Sequence, residues 1–234
     1  MTRRLWDWPS VLVPTNSIVI APSFTRYGAI NRAGYETARS ISGARNQVRL
    51  EFGPRNGNQI GHFYAWLINQ GEGALFSVPI THRAQLATSA AIAAKEVEFA
   101  DGIPFSTGAY FSTGFGFLYE PTVDLHADAL EGATTVLLDT SRHPGVLTYG
   151  KVFGLGRNCY HVDDISTDGD IATVTCRPSL VRDYTVAIDK IVTLRPKIIC
   201  ALTDIEGFVG LFDPAGHFQA GAITMNEVVD ERFL

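Results

Sequence analysis

The sequence predicts a mainly β protein with one good helix and a small antiparallel barrel set within it. Three observations lead there. Apolar and polar residues alternate through much of the chain, with β-branched side chains in the apolar positions. A single stretch, 58–70, breaks that rhythm and spaces its apolar residues as a helix does. Short strands then follow at close intervals between 134 and 176, with turn residues between them.

Taken in order, strands are predicted over 17–20, 35–41 and 47–52. In the last, Val48, Leu50 and Phe52 share one face and Arg49 and Glu51 the other. In the helix, Ile60, Phe63, Tyr64, Leu67 and Ile68 form one apolar stripe. Asn56 or Asn58 suits its start and Gly71 its stop. Trp66 falls off the stripe, a place where an aromatic can meet a second subunit. A strand returns at 75–80. The Ala-rich stretch 84–94 fits either a short helix or a strand and loop, and the alternation over 95–99 predicts a strand. From 101 to 117 glycine and aromatic residues dominate, and a short motif repeats as Phe105-Ser-Thr-Gly108 and Phe111-Ser-Thr-Gly114. This predicts a long exposed loop or hairpin whose aromatic residues Phe105, Tyr110, Phe111 and Phe115 are candidate contact residues. Barrel strands are predicted over 134–138, 147–153, 159–162 and 171–176, with turns at 143–145, 154–158 and 167–170. Strands resume at 189–194, 197–202, 208–212 and 221–228.

Composition bounds the function. The chain has 234 residues and 25.5 kDa, with 46% hydrophobic and 18% charged residues, too apolar for disorder. A net charge of −5 argues against a sequence-reading nucleic-acid binder with a basic face. Apolar runs such as 198–202 are far short of the ~20 residues of a membrane helix. Two arginines near the N-terminus lack the apolar core of a secretory signal. Cys159, Cys176 and Cys200 have no metal-ligand spacing and read as free buried thiols, consistent with synthesis in a reducing cytoplasm. The excess of arginine over lysine suits protein interfaces, and a high-GC coding bias explains the same ratio.

No motif points to catalysis, a cofactor or a metal. The run from Asp163 to Asp170 lacks the carboxylate spacing and final Glu of a calcium loop, and reads as a polar hairpin turn. Asp124, His126 and Asp128 share one strand face without further ligands, and read as an exposed polar face. Gly154-Leu-Gly156-Arg starts like a phosphate loop but lacks the third glycine and the helix, so a β-turn is the better reading. There is no nucleophile elbow around the Ser-Thr-Gly repeats.

Two stretches carry a family resemblance. One runs from the early strands through Phe52-Gly-Pro-Arg55 and the Trp66 helix to Gly73-Ala-Leu-Phe-Ser-Val-Pro79. The other runs from Ala133 to Pro178, through Gly145-Val-Leu-Thr-Tyr-Gly-Lys-Val-Phe-Gly-Leu-Gly156 and Thr167-Asp-Gly-Asp-Ile-Ala-Thr-Val-Thr-Cys-Arg-Pro178. After it come Leu194-Arg-Pro196 and Gly216-His-Phe-Gln219. This order resembles the distal tail and baseplate proteins of long-tailed (siphophage-type) bacteriophages. The resemblance implies a tail-tube-like β-sandwich with a flanking α-helix, formed by 1–100 and completed by 186–234, with an inserted small β-barrel over 101–185. It implies a structural virion protein, without enzymatic activity, at the distal end of the tail. Its copies would form a ring, a hexamer in such families, that joins the tail tube protein to the baseplate hub and receptor-binding proteins. DNA would pass through that ring without sequence-specific binding, an acidic lumen holding its phosphates less than a basic one. Exposed strand edges would serve as pairing surfaces between subunits. The alternatives are a tail terminator or hub-type protein, a carbohydrate- or cell-wall-binding β module using the aromatic loop, and a hydrolase using Asp124, His126 and Asp128.

Overall fold

The computed structural model describes residues 5–8, 16–20, 45–52, 55–56, 74–202, 211–212, 217–219 and 223–228. The expected strand at 35–41 and the Trp66 helix at 58–70 lie outside these residues. What is described is mainly β: fifteen strands and one helix, in two large groups and a small three-stranded sheet.

The first group is a six-stranded sheet. Its strands are β1 (Leu5–Asp7), β2 (Asn16–Ile20), β3 (Gln47–Glu51), β5 (Leu75–Pro79), β12 (Lys197–Leu202) and β15 (Ile223–Glu227), in the order β1-β5-β12-β15-β3-β2. Alternation does what period-two patterning requires. Val48 and Leu50 of β3, Phe76 and Val78 of β5, Ile198 and Cys200 of β12, and Ile223 and Met225 of β15 are all buried in one cluster. Trp8, just after β1, closes that cluster by stacking on Phe52 and meeting Phe76 edge-on. β4 (Arg55–Asn56) pairs with β14 (His217–Gln219), which pairs with β13 (Leu211–Phe212).

The second group lies between β5 and β12 in sequence. Strands β6 (Thr122–Leu125), β7 (Thr135–Asp139), β8 (Val152–Leu155), β9 (Asn158–Asp168), β10 (Ile171–Arg177) and β11 (Ile191–Thr193) run in the order β10-β7-β6-β11-β8-β9. β9 pairs with β10 and closes the ring. Its interior is a second core, with Val123, Leu125, Val136, Leu138, Phe153, Leu155, Tyr160 and Val174 all buried. Ring strands therefore extend past the expected boundary at 185: β11 is hydrogen-bonded to β6 and β8, and the chain rejoins the sheet only at Lys197.

Three local expectations are corrected. Residues 95–99 are not a strand, because helix α1 (Ala90–Glu98) runs through them. Ser89 caps it by accepting the Ile92 N–H at 3.2 Å, alanines carry its first turn, and Ile92 buries into the ring core. The alternation there is incidental, since Val97 is 78% exposed. Strand β8 begins at Val152 rather than 147, because the chain before it turns locally, through Val146 N–H to His143 O and Lys151 N–H to Thr148 O. β9 runs to Asp168 rather than ending at 162, because β10 supplies partners for its polar half while that half stays largely exposed.

The sheet and the ring meet along the segment 81–87. There Gln85 reaches both ways. Its side-chain amide accepts the Val19 N–H at 2.9 Å and donates to the Val19 carbonyl at 2.5 Å, while its own carbonyl accepts Val152 N–H of β8. Ser17 N–H is taken by Thr81 Oγ1 and the Ser17 carbonyl by His82 N–H. The outer edge of β2 is thus sealed by its own chain and is not an open pairing surface. The other edge strand of the sheet is β1.

Candidate interaction surfaces

The aromatic loop is a self-packed hairpin. Each Phe-Ser-Thr-Gly unit makes the same tight turn: Gly108 N–H bonds Phe105 O and Phe105 N–H bonds Ala109 O, and Gly114, Phe111 and Phe115 repeat this. Equivalent turns place equivalent rings together. Phe105, Phe111 and Phe117 meet edge-to-face, with centroids 4.8, 5.3 and 5.1 Å apart. At the neck, Ile103 and Phe117 exchange both backbone bonds and Gly102 crosses Gly116. A side chain on Gly116 would run into the Ile103 carbonyl, so glycine is required there. Of the sequence candidates, Phe105 and Phe111 pack within the loop yet remain exposed, Phe111 (43%) as much as Tyr110 (44%). Tyr110 and Phe115 face solvent, Phe115 at 60%. Trp66 lies outside the described residues.

A cavity of about 290 Å³ opens between the sheet and the ring. Arg157, Arg195 and Lys197 line it together with one carboxylate, Glu120, and Gly154 and Gly156. Arg157 follows Gly156 in the two-residue turn between β8 and β9. Gly156 has φ +61° while Arg157, like every non-glycine among the described residues, does not have positive φ, the pattern of a type II′ turn. The Gly-Leu-Gly-Arg motif is thus a hairpin turn, as its sequence context suggested. Arg195 is engaged elsewhere, bonding Glu96 of α1 and the carbonyls of Ala87 and Leu194. Arg157 and Lys197 are exposed and have no carboxylate within ion-pair distance among the described residues. Sequence reading missed this grouping, since Arg157, Arg195 and Lys197 come together only when the ring folds back onto the sheet.

The opposite end of β9 is acidic. Asp168 and Asp170 flank Gly169 in a second two-residue turn, with φ +58° at the glycine. Asp139 lies across from Ile171 beside them. Bonds from Ser141 hold its carboxyl below the usual range, so it stays ionised. Asp163 is neutralised by Arg177 at 2.6 Å, and Asp164 bonds the Ile165 N–H.

The hydrolase candidates do not share a strand face as expected, because β6 ends at Leu125 and the exposed His126 and Asp128 lie beyond it. Asp124 pairs with Arg142 and Lys190, and Asp128 accepts the Val186 N–H. Among the described residues no group of three or more His, Cys, Asp and Glu side chains is arranged to hold a metal, and no helix is long and apolar enough to cross a membrane. The three cysteines are free and buried, and burial pushes their thiols up, that of Cys176 to about 12.

One ionisable group sits at the sheet–ring junction. Glu227 of β15 is 2% exposed. Its Oε2 accepts the Asn46 backbone N–H at 3.2 Å and Nδ2 at 2.8 Å, and Oε1 faces the Cys159 N–H of β9 at 3.4 Å. Asn46 Nδ2 also donates to the Cys159 carbonyl. Burial raises the Glu227 carboxyl to about 7, against the opposing pull of these bonds and of Arg45.

No known protein-family model matches this chain, and no curated protein matches it.

Proposed function

We propose that this chain is a structural virion protein, a distal tail or baseplate component whose copies form a ring around the DNA channel and join the tail tube to the hub. The observation that carries the reading is the chain path. A β-sheet is interrupted between two adjacent strands, β5 and β12, and the intervening chain closes a six-stranded ring of its own. In this reading the sheet belongs to the tail-tube-like sandwich and the closed ring is the inserted small barrel. The aromatic loop, packed by its own rings and carrying no charge between Asp101 and Glu120, offers Tyr110 and Phe115 to a neighbouring tail protein. The sealed β2 edge directs subunit contacts to side-chain surfaces and to β1.

Native mass spectrometry and negative-stain imaging of the purified full chain test this. Closed rings of fixed copy number support it. A strict monomer at high concentration that binds glycans through the loop, and loses binding on Tyr110→Ala and Phe115→Ala, overturns it in favour of a carbohydrate-binding module. The exposed rings of Tyr110 and Phe115 are the feature that favours that second reading.

A further inference from the structure

We infer that copies of this chain meet head to tail through charge: the acidic turn at 168–170 of one copy seats its carboxylates in the cationic cavity around Arg157 and Lys197 of the next. The inference rests on the ring reading and names the contact that builds the ring.

Two observations on one strand lead to it. β9 begins at the Gly156-Arg157 turn and ends at the Asp168-Gly169-Asp170 turn. Its eleven residues span ~33 Å at ~3.3 Å per residue, so the two turns cannot reach each other within a copy. One end presents Arg157 and Lys197 without carboxylate partners among the described residues, at the mouth of a cavity of about 290 Å³. The other presents Asp168 and Asp170 without cationic partners among them, backed by the ionised Asp139. Nearby countercharges are already committed: Arg177 to Asp163, Arg142 to Asp124, and Arg195 to Glu96. Among the described residues Glu120 is the one carboxylate lining the cavity, against the two uncommitted cations Arg157 and Lys197. The cavity is at the small end of the ~300–1,000 Å³ range of ligand sites, a fit for one or two carboxylate side chains.

The occupant is a second copy because the complementary patch is on this chain. A contact between two different patches of identical copies is heterologous, and it closes into a ring when its rotation allows. A chain of net charge −5 would otherwise repel its own copies, and locally reversed sign overcomes that in one orientation only.

Two variants of the full chain test it: Arg157→Gln with Lys197→Gln, and Asp168→Asn with Asp170→Asn, neutral replacements that leave the altered patches no complementary charge in the mixture. All four positions are exposed, and circular dichroism with thermal unfolding checks that both variants fold. By sedimentation velocity and native mass spectrometry, each variant alone should self-associate at least about a hundredfold more weakly than the unaltered chain. Mixed together they should form a one-to-one dimer, because one native turn and one native cavity remain. That dimer should weaken at high salt. If both variants assemble as the unaltered chain does, the charge contact is wrong while the ring reading stands. Variants that lose assembly but give no dimer on mixing also overturn it. If neither the unaltered chain nor the mixture associates, the contact and the support for a self-assembled ring fall together.

Discussion

Replacing Glu227 by glutamine should unmask a pH dependence that the unaltered protein conceals. The carboxyl titrates near 4.5 in an unfolded chain and at about 7 in the fold. The native state therefore binds more protons between those values, so Glu227 stabilises fully below pH 4.5 and that contribution is lost as pH rises to about 7. At ~1.36 kcal/mol per pKa unit the loss is about 3 kcal/mol. His161 works in the other direction. Burial lowers it from 6.5 to about 4, with Asp163 opposing and Arg177 assisting, so the unfolded chain binds more protons between those values. Its contribution is complete above pH 6.5 and is lost as pH falls to about 4, again about 3 kcal/mol. The half-buried His143 adds in the same direction. Over pH 4.5–6.5 the two large effects nearly cancel, and the unaltered protein should look flat. In Glu227→Gln, His161 with His143 dominates this window among the described residues, so unfolding free energy should climb by about 3 kcal/mol between pH 4 and 6.5. At pH 8 the variant should exceed the unaltered chain by roughly 2 kcal/mol, the relieved burial cost less about 1 kcal/mol of imperfect hydrogen bonding. Urea unfolding at half-unit pH steps, followed by the fluorescence of Trp6 and Trp8, measures this. Parallel curves for the two proteins would refute the reasoning. His161→Gln is the mirror control, with stability falling from pH 4.5 to 7.

Three further outcomes are expected. Gln85→Ala strips both partners from the Val19 backbone and opens the β2 edge; urea unfolding should show a loss of about 1–3 kcal/mol, and light scattering an increased tendency to aggregate. Arg195→Met releases α1 from the β11–β12 link by removing the bonds to Glu96 and Ala87, and should cost about 1–2 kcal/mol, discounted because Glu96 is partly exposed. Gly116→Ala drives a methyl into the neck of the aromatic hairpin; limited proteolysis should then cut within 103–117 while the unfolding midpoint of the two cores barely moves.

Strands whose one face is a core were legible in the sequence. β3 and β10 announce themselves by alternation and β5, β7 and β12 by short apolar runs, and most of their apolar members are buried. What was hidden depends on partners far away in sequence. The outer half of β9 is polar and looks like a loop, yet it is a strand because β10 pairs with it from Asp168 to Asp164 and, past a register shift at Asp163, at Val162 and His161. Residues 95–98 alternate like a strand, yet they continue a helix that begins five residues earlier at a serine cap. β11 was assigned to the returning sheet because local pattern cannot say which neighbour a strand will choose. The aromatic loop was visible from its repeat, while the use of Phe105 and Phe111 as mutual packing needed the turn geometry. The cavity's cations come from residues 157, 195 and 197, brought together by a chain reversal that no local motif records.

The stem of the insertion has an evolutionary corollary. Since β5 and β12 lie side by side as antiparallel neighbours, the chain departs and returns through the same doorway. What lies beyond the 81–87 segment and before Pro196 can be exchanged as a cassette, or deleted to a short hairpin, without reordering the sheet. The toll for such an exchange is local: Gln85 and the Asn46–Glu227 couple grip Val152 and Cys159 of the insert, and a foreign cassette must offer them equivalent backbone groups.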